Sequence, residues 1–200
     1  MKQNHTKMLV LHAFFIAIEL LLISIPFLGY IPLGPLNATT LHIPVLIAGI
    51  VLGKRSGALI GLLFGVSSIM NGILRPTFTS FVFCPFISGN IMSGVIAIVP
   101  RMLIGYVAGW LYERVGTKYP TSGMIGSALM GSLSNTILVL LGIYVVFGSQ
   151  YGSAIGKDSS QLLPYFIGVL GTQGLVETIV GTVIAVAISR PLVAYIEVRK

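Results

Sequence analysis

Charge is what this chain lacks most. Only 8% of its 200 residues are Asp, Glu, Lys or Arg, against about a quarter in an average soluble domain. That scarcity excludes a soluble globular fold. With 55% hydrophobic residues and a mean hydropathy of +0.97, an integral membrane protein is expected, one compact transmembrane domain over residues 1–200. Cysteine is almost missing too: Cys84 stands alone, which excludes an internal disulfide and a cysteine metal cluster. Histidine ends at His42. Serines such as Ser67 and Ser127 have no later histidine to activate them, which argues against an intramembrane serine protease and against an enzyme. No phosphate-binding loop, no Gly-x-Gly-x-x-Gly after a strand and no metal cluster occurs, so neither cofactor nor metal is expected. The internal repeat that marks many carriers is absent as well. The first apolar run lacks a small-residue cleavage site and reads as a retained first helix.

What is present is six apolar segments, at about residues 7–28, 42–53, 56–70, 93–112, 122–147 and 163–189. They predict an all-α membrane protein, a six-transmembrane-helix bundle. The segment His42–Leu52 is too short to cross unaided, since a crossing helix needs roughly 20 apolar residues. Polar Asn37-Ala-Thr-Thr40 ahead of it is a capping signal. A non-helical start at such depth is tolerated only beside protein or a water-filled cavity, so a short helix flooring a cavity open to one side is expected. After the joint Gly53-Lys54-Arg55-Ser56-Gly57 come Gly57, Gly61 and Gly65, four apart on one helix face, where a second backbone can approach closely. The stretches Tyr30–Thr40 and Asn71–Asn90 read as irregular loops.

The net charge is +7, but the positives sit at segment ends, which makes them a topology signal rather than a nucleic-acid surface. Across six crossings, Lys2, Lys7, Lys54, Arg55, Arg114, Lys118, Arg190, Arg199 and Lys200 share one side, and Arg75 and Lys157 the other. The asymmetry predicts cytoplasmic N and C termini, long loops facing outward, and a multi-pass protein of the cell membrane in contact with the lipid bilayer.

Ionisable residues within a membrane are costly and usually face a cavity or one another. Glu19, Arg101 and Glu177 are of this kind. Arg101 is either half of a buried pair with Glu19 or Glu177 that holds the bundle together, or a fork for an anionic ligand group. Asn135 and Gln173 are amides in apolar helices, serving either interhelical hydrogen bonds or a ligand. Asn71, Arg75 and Thr79 sit where they line a cavity mouth or face solvent, and solvent is the default for Arg75. His42 opens its segment as a polar cap or a ligand contact. His12 reads as a residue near the inner face in contact with lipid. Ala13 and Ala17 form a small-residue step on the first helix, with ordinary packing as the plain alternative.

These residues resemble a known family, the S components of energy-coupling factor (ECF) vitamin transporters, over nearly the whole chain. The resemblance rests on the length, the six segments, Ala13-Phe-Phe-Ile-Ala17, and the run HIPVLIAGIVLGKRSGALIGLLFG from His42 to Gly65. Within the family it is most similar to the pantothenate-specific S component, through TSFVFCPF, Pro100-Arg101 and Ser134-Asn135. It implies a vitamin bound in an outward-facing pocket, with Tyr30–Leu41 and Asn71–Asn90 as a lid. It implies docking through Ala13 and Ala17 on a transmembrane scaffold subunit that carries two ATPase subunits, and toppling of the whole component to release substrate inside. Pantothenate has one carboxylate, an amide, two hydroxyls and a branched apolar end. One arginine, two amides and aliphatic walls suit it. Riboflavin and folate want stacking aromatics, and thiamine wants an acidic site. Other vitamins, pyridoxine or hydroxymethylpyrimidine among them, and a stand-alone ion-coupled carrier using Glu19 and Glu177 stay open. Substrate-binding candidates are Arg101, Asn135, Gln173, Glu177, His42, Asn71 and Thr79.

Overall fold

The computed structural model describes residues 5–25, 28–33 and 36–198. Lys2, Arg199 and Lys200, counted above for topology, lie outside the described residues. Helix α1 (His5–Ser24) leads to an antiparallel hairpin of β1 (Tyr30–Leu33) and β2 (Leu36–Thr39). Then come α2 (His42–Leu52), α3 (Lys54–Leu74), a 3-10 turn at Ser80–Val82 and the one-turn α4 (Pro85–Ser88). The rest is α5 (Ile91–Val115), α6 (Pro120–Ala154), α7 (Ser159–Val169), a π-helical turn at Leu170–Gly174, and α8 (Leu175–Val198).

Among the described residues, five helical stretches are long and apolar enough to cross a membrane: Thr6–Ser24, Lys54–Leu74, Ile91–Val115, Pro120–Ala154 and Ser160–Tyr195. The last joins α7, the π turn and α8 into one span. The remaining expected segment, α2, is apolar but has only 11 residues. An all-helical membrane bundle is thus what the chain forms, apart from one hairpin.

That hairpin replaces the irregular loop expected at Tyr30–Thr40. Its register pairs Tyr30 with Thr39 and Leu33 with Leu36. Unpaired backbone groups are costly away from water, and the hairpin pairs them. Two boundaries also move. α3 runs on to Leu74 and takes Asn71 into the helix. α6 runs on to Ala154, through Gly148-Ser-Gln, because polar side chains leave the backbone ladder intact. What stops it is Gly156 at φ +68°, where the Lys157 N–H turns back to the Gly152 carbonyl at 2.9 Å.

The glycine face of α3 packs as its spacing predicts. A Cβ on Gly57 would lie 2.6 Å from the Gly105 carbonyl oxygen of α5 and 2.6 Å from Gly49 Cα of α2. One on Gly65 would lie 2.8 Å from Ile98 Cα, and one on Gly61 2.8 Å from the Arg101 carbonyl carbon. α3 and α5 therefore run antiparallel with backbones nearly touching, and no side chain larger than hydrogen fits between. α2 is buried along most of its length, against α3, α5 and α8. Gly53 at φ +96° lets α2 turn into α3 through a single residue, and Lys54 Nζ pairs with Glu113 Oε2 at 2.8 Å at that end. α6 fills the gap between α5 and α8. α1 lies outermost, on α3 and α2. It buries Phe15 and Glu19 and leaves Leu9, Phe14 and Leu21 exposed. His12 departs from its lipid-facing reading: its Nε2 lies 2.9 Å from Ser56 Oγ and its Nδ1 2.7 Å from the Met8 carbonyl.

Candidate binding cavity

The site begins with a proline. Pro100 sits inside α5 and has no N–H, so it cannot donate to the carbonyl four residues back. That carbonyl belongs to Ile96, and the next side chain satisfies it: Arg101 Nη1 donates to Ile96 O at 2.8 Å. The guanidinium is thereby held against its own helix. It lies 4.8 Å from the ring centre of Phe83 and 5.6 Å from that of Phe64, distances at which an aromatic ring attracts a cation. Arg101 is 7% exposed, and its Nε has no hydrogen-bond partner among the described residues. Neither ion pair considered from the sequence forms. Among the described residues no carboxylate reaches salt-bridge distance of Arg101.

Arg101 forms part of the wall of a cavity of about 100 Å³. Tyr30 and Thr39, paired across the hairpin, close one side. α3 contributes Phe64, Ser68, Asn71 and Gly72, and the segment after it Thr77, Thr79, Ser80 and Phe83. α6 adds Asn135, Thr136, Val139 and Leu140. The last span adds Val169, Gln173, Gly174 and Glu177. Val169 and Gly174 are five residues apart. In an α-helix that step advances about 500° and turns the two away from each other; the π turn between them brings both to the wall.

Glu177 is fixed from two sides. Its Oε1 accepts from Gln173 Nε2 at 3.1 Å and from the Thr39 backbone N–H at 3.3 Å. Arg101 and Glu177 line the same cavity with no ion pair between them among the described residues. Asn135 Oδ1 is buried with no hydrogen-bond partner among the described residues. Tyr30 Oη meets Ser67 Oγ at 2.8 Å and Ser68 Oγ at 3.2 Å.

Six of the seven substrate-binding candidates therefore meet at one cavity: Arg101, Asn135, Gln173, Glu177, Asn71 and Thr79. His42 is elsewhere. Its buried ring sits behind the wall, beside the backbone of Thr39 and Glu177 and hard against Gly181. α2 contributes none of the lining among the described residues, so it braces the cavity from behind instead of flooring it with side chains. Glu19 is fully buried on α1, away from this lining, with neither carboxylate oxygen hydrogen-bonded among the described residues. Ala13 and Ala17 are exposed. Tyr30, Thr39, Phe64, Ser68 and Phe83 also line the cavity, none of them a candidate from the sequence on its own. Tyr30, Thr39 and Phe83 fall within the two stretches that the resemblance makes a lid, and Ser67-Ser68 is a hydroxyl pair in an apolar helix.

A sequence model of the family described as ECF transporter, substrate-specific component matches residues 7–189. The chain is 34% identical to the pantothenic acid transporter PanT of Lactococcus lactis subsp. cremoris, over 77% of this chain and 76% of that one. It is 32% identical to the pantothenate transporter PanT of Leuconostoc mesenteroides subsp. mesenteroides, over 98% and 97%. It is also 32% identical to the biotin transporter BioY of Rhizobium etli, over 73% of each. With membrane-length helices enclosing a polar cavity, the chain belongs to the ECF transporter substrate-specific components, multi-pass proteins of the cell membrane.

Proposed function

We propose that this S component binds pantothenate, with Arg101 holding the carboxylate and Asn135 and Gln173 hydrogen-bonding the amide and hydroxyls. The observation that carries this reading is Arg101, a buried guanidinium on a cavity wall with no carboxylate partner among the described residues. A buried cation is costly unless paired, and a ligand carboxylate supplies the pair. Val139 and Leu140 suit the branched apolar end, and Asn71 and Thr79 sit where the polar parts of the ligand pass. The two relatives named for pantothenate favour this substrate, while the biotin relative makes biotin the runner-up, which a binding panel separates.

The cavity lies at the end of α3 opposite Lys54, Arg55, Arg114 and Lys118. With the basic end inside, the cavity opens outward, six segments cross or enter the membrane, and both termini are cytoplasmic. Docking through Ala13 and Ala17 on a transmembrane scaffold driven by two ATPases then carries substrate inward.

Arg101→Ala tests the site. Losing a charged partner in a desolvated site costs about 2–5 kcal/mol, well over tenfold in affinity. Pantothenate binding should fall by that factor. Pantothenol, the uncharged alcohol, should lose far less. The ligand-free melting temperature should drop only slightly, because one carbonyl loses a hydrogen bond worth about 1 kcal/mol. Equal loss for both ligands with a collapsed melting temperature would sink the reading and make Arg101 part of the scaffold of the fold.

A further inference from the structure

The cavity carries two opposite charges held apart. Arg101 belongs to α5 and Glu177 to α8, two helices that each pack on α2. No ion pair joins them among the described residues. The two oxygens of Glu177 differ. Oε1 is engaged by the Thr39 N–H and by Gln173 Nε2, and two N–H donors converging on one oxygen fit a carboxylate. Oε2 receives no hydrogen bond among the described residues, yet the residue lines the cavity. An ionised carboxylate can only accept. In a desolvated cavity it gains from an O–H or N–H donor, through a short charge-assisted bond, and it repels a second carboxylate.

We infer that Glu177 is a specificity residue: its Oε2 accepts from the hydrogen-bond donors at the end of the substrate remote from the carboxylate. The substrate class this selects is a monoanion with donors at its opposite end. The inference rests on the pantothenate reading above and adds a direction to it. Pantothenate lies across the cavity with its β-alanine carboxylate on Arg101 and its two hydroxyls toward Glu177. The reverse orientation places carboxylate against carboxylate and leaves the guanidinium facing a branched alkyl group. A dicarboxylate fits neither way.

The test is a set of affinities for the detergent-solubilised full chain, by calorimetry. Three ligands are used: pantothenate, pantothenol, and N-(3,3-dimethylbutanoyl)-β-alanine, which is pantothenate with both hydroxyls replaced by hydrogen. The variant is Glu177→Gln. Its amide oxygen still accepts from Thr39 and Gln173, so the ligand-free melting temperature should be kept. The wild-type chain should prefer pantothenate to the dideoxy compound by about tenfold or more. In Glu177→Gln that preference should shrink severalfold or more, while the preference for acid over alcohol persists. In Arg101→Ala the pattern should invert: the acid preference goes and the hydroxyl preference stays. If Glu177→Gln leaves the hydroxyl preference intact, or removes the acid preference instead, Glu177 does not face the donor end and the inference fails. A wild-type chain that does not bind pantothenate at all overturns the substrate reading itself. Tight pantothenate binding with no hydroxyl preference overturns only the role of Glu177.

Discussion

Pro100 and Arg101 act as one unit. The imino acid strips the Ile96 carbonyl of its helical donor, and the arginine beside it supplies the substitute at 2.8 Å. Pro100→Ala returns an N–H to the ladder, where it competes with Nη1. A proline in a helix interior costs about 3 kcal/mol, so this variant should melt at the same or a higher temperature. Its affinity for pantothenate should nonetheless fall severalfold, and its preference for acid over alcohol should narrow, because the guanidinium loses its anchor. An unchanged acid preference would mean that the Ile96 carbonyl does not position Arg101. The same chemistry predicts that Pro100→Ala partly restores the melting temperature lost in Arg101→Ala, since the restored N–H satisfies the carbonyl the arginine abandoned.

Among the elements, the π turn is the one to probe. Gly171 lies inside it, and a Cβ there would meet nothing within 4 Å, so the residue contributes length and no contact. Deleting it should close the turn into regular α-helix with α7 and α8 in nearly the same register, since five residues of a π turn advance about 410° and four of an α-helix about 400°. Far-ultraviolet circular dichroism should stay helical and pantothenate affinity should change less than about tenfold; a larger loss would show that the extra residue itself shapes the wall. Such a turn is invisible in composition, because one extra residue in Leu170-Gly-Thr-Gln-Gly174 changes no periodicity that a short window detects. Other features were legible for definite reasons. Gly57, Gly61 and Gly65 announce a close helix contact by spacing alone, and the partner proved to be α5. Arg101, Asn135, Gln173 and Glu177 stand out because a polar group in an apolar helix needs a partner. Tyr30, Thr39 and Ser68 do not stand out: a hydroxyl in an apolar stretch can bond its own backbone, and Tyr30 and Thr39 reach the cavity only because the hairpin pairs them. His42, a polar cap or a ligand contact by its place at the start of α2, packs against Gly181 behind the wall.

For the whole molecule, the loosely held part is α1. It lies on α3 and α2 with most of its surface outward, Ala13 and Ala17 included. A face of small residues admits a close helix partner. Ala13→Trp combined with Ala17→Trp should abolish pantothenate uptake in cells that also make the ATPase module, and leave binding to the isolated chain intact. Equal loss of uptake and binding would place the alanines in internal packing. The topology reading is open to the same kind of check, because cysteine at position 54 should resist an impermeant reagent in intact cells and cysteine at position 157 should react.

Only residues 25–29 separate the end of α1 from Tyr30, whose hydroxyl is bonded to α3 and whose side chain walls the cavity. A partner that grips α1 therefore pulls on a short tether fastened to the bound vitamin's enclosure. Thermodynamic linkage makes such a connection reciprocal: by whatever factor the vitamin changes this chain's affinity for the scaffold, the scaffold changes its affinity for the vitamin. If docking falls on α1, capture and hand-over are two readings of one coupling free energy.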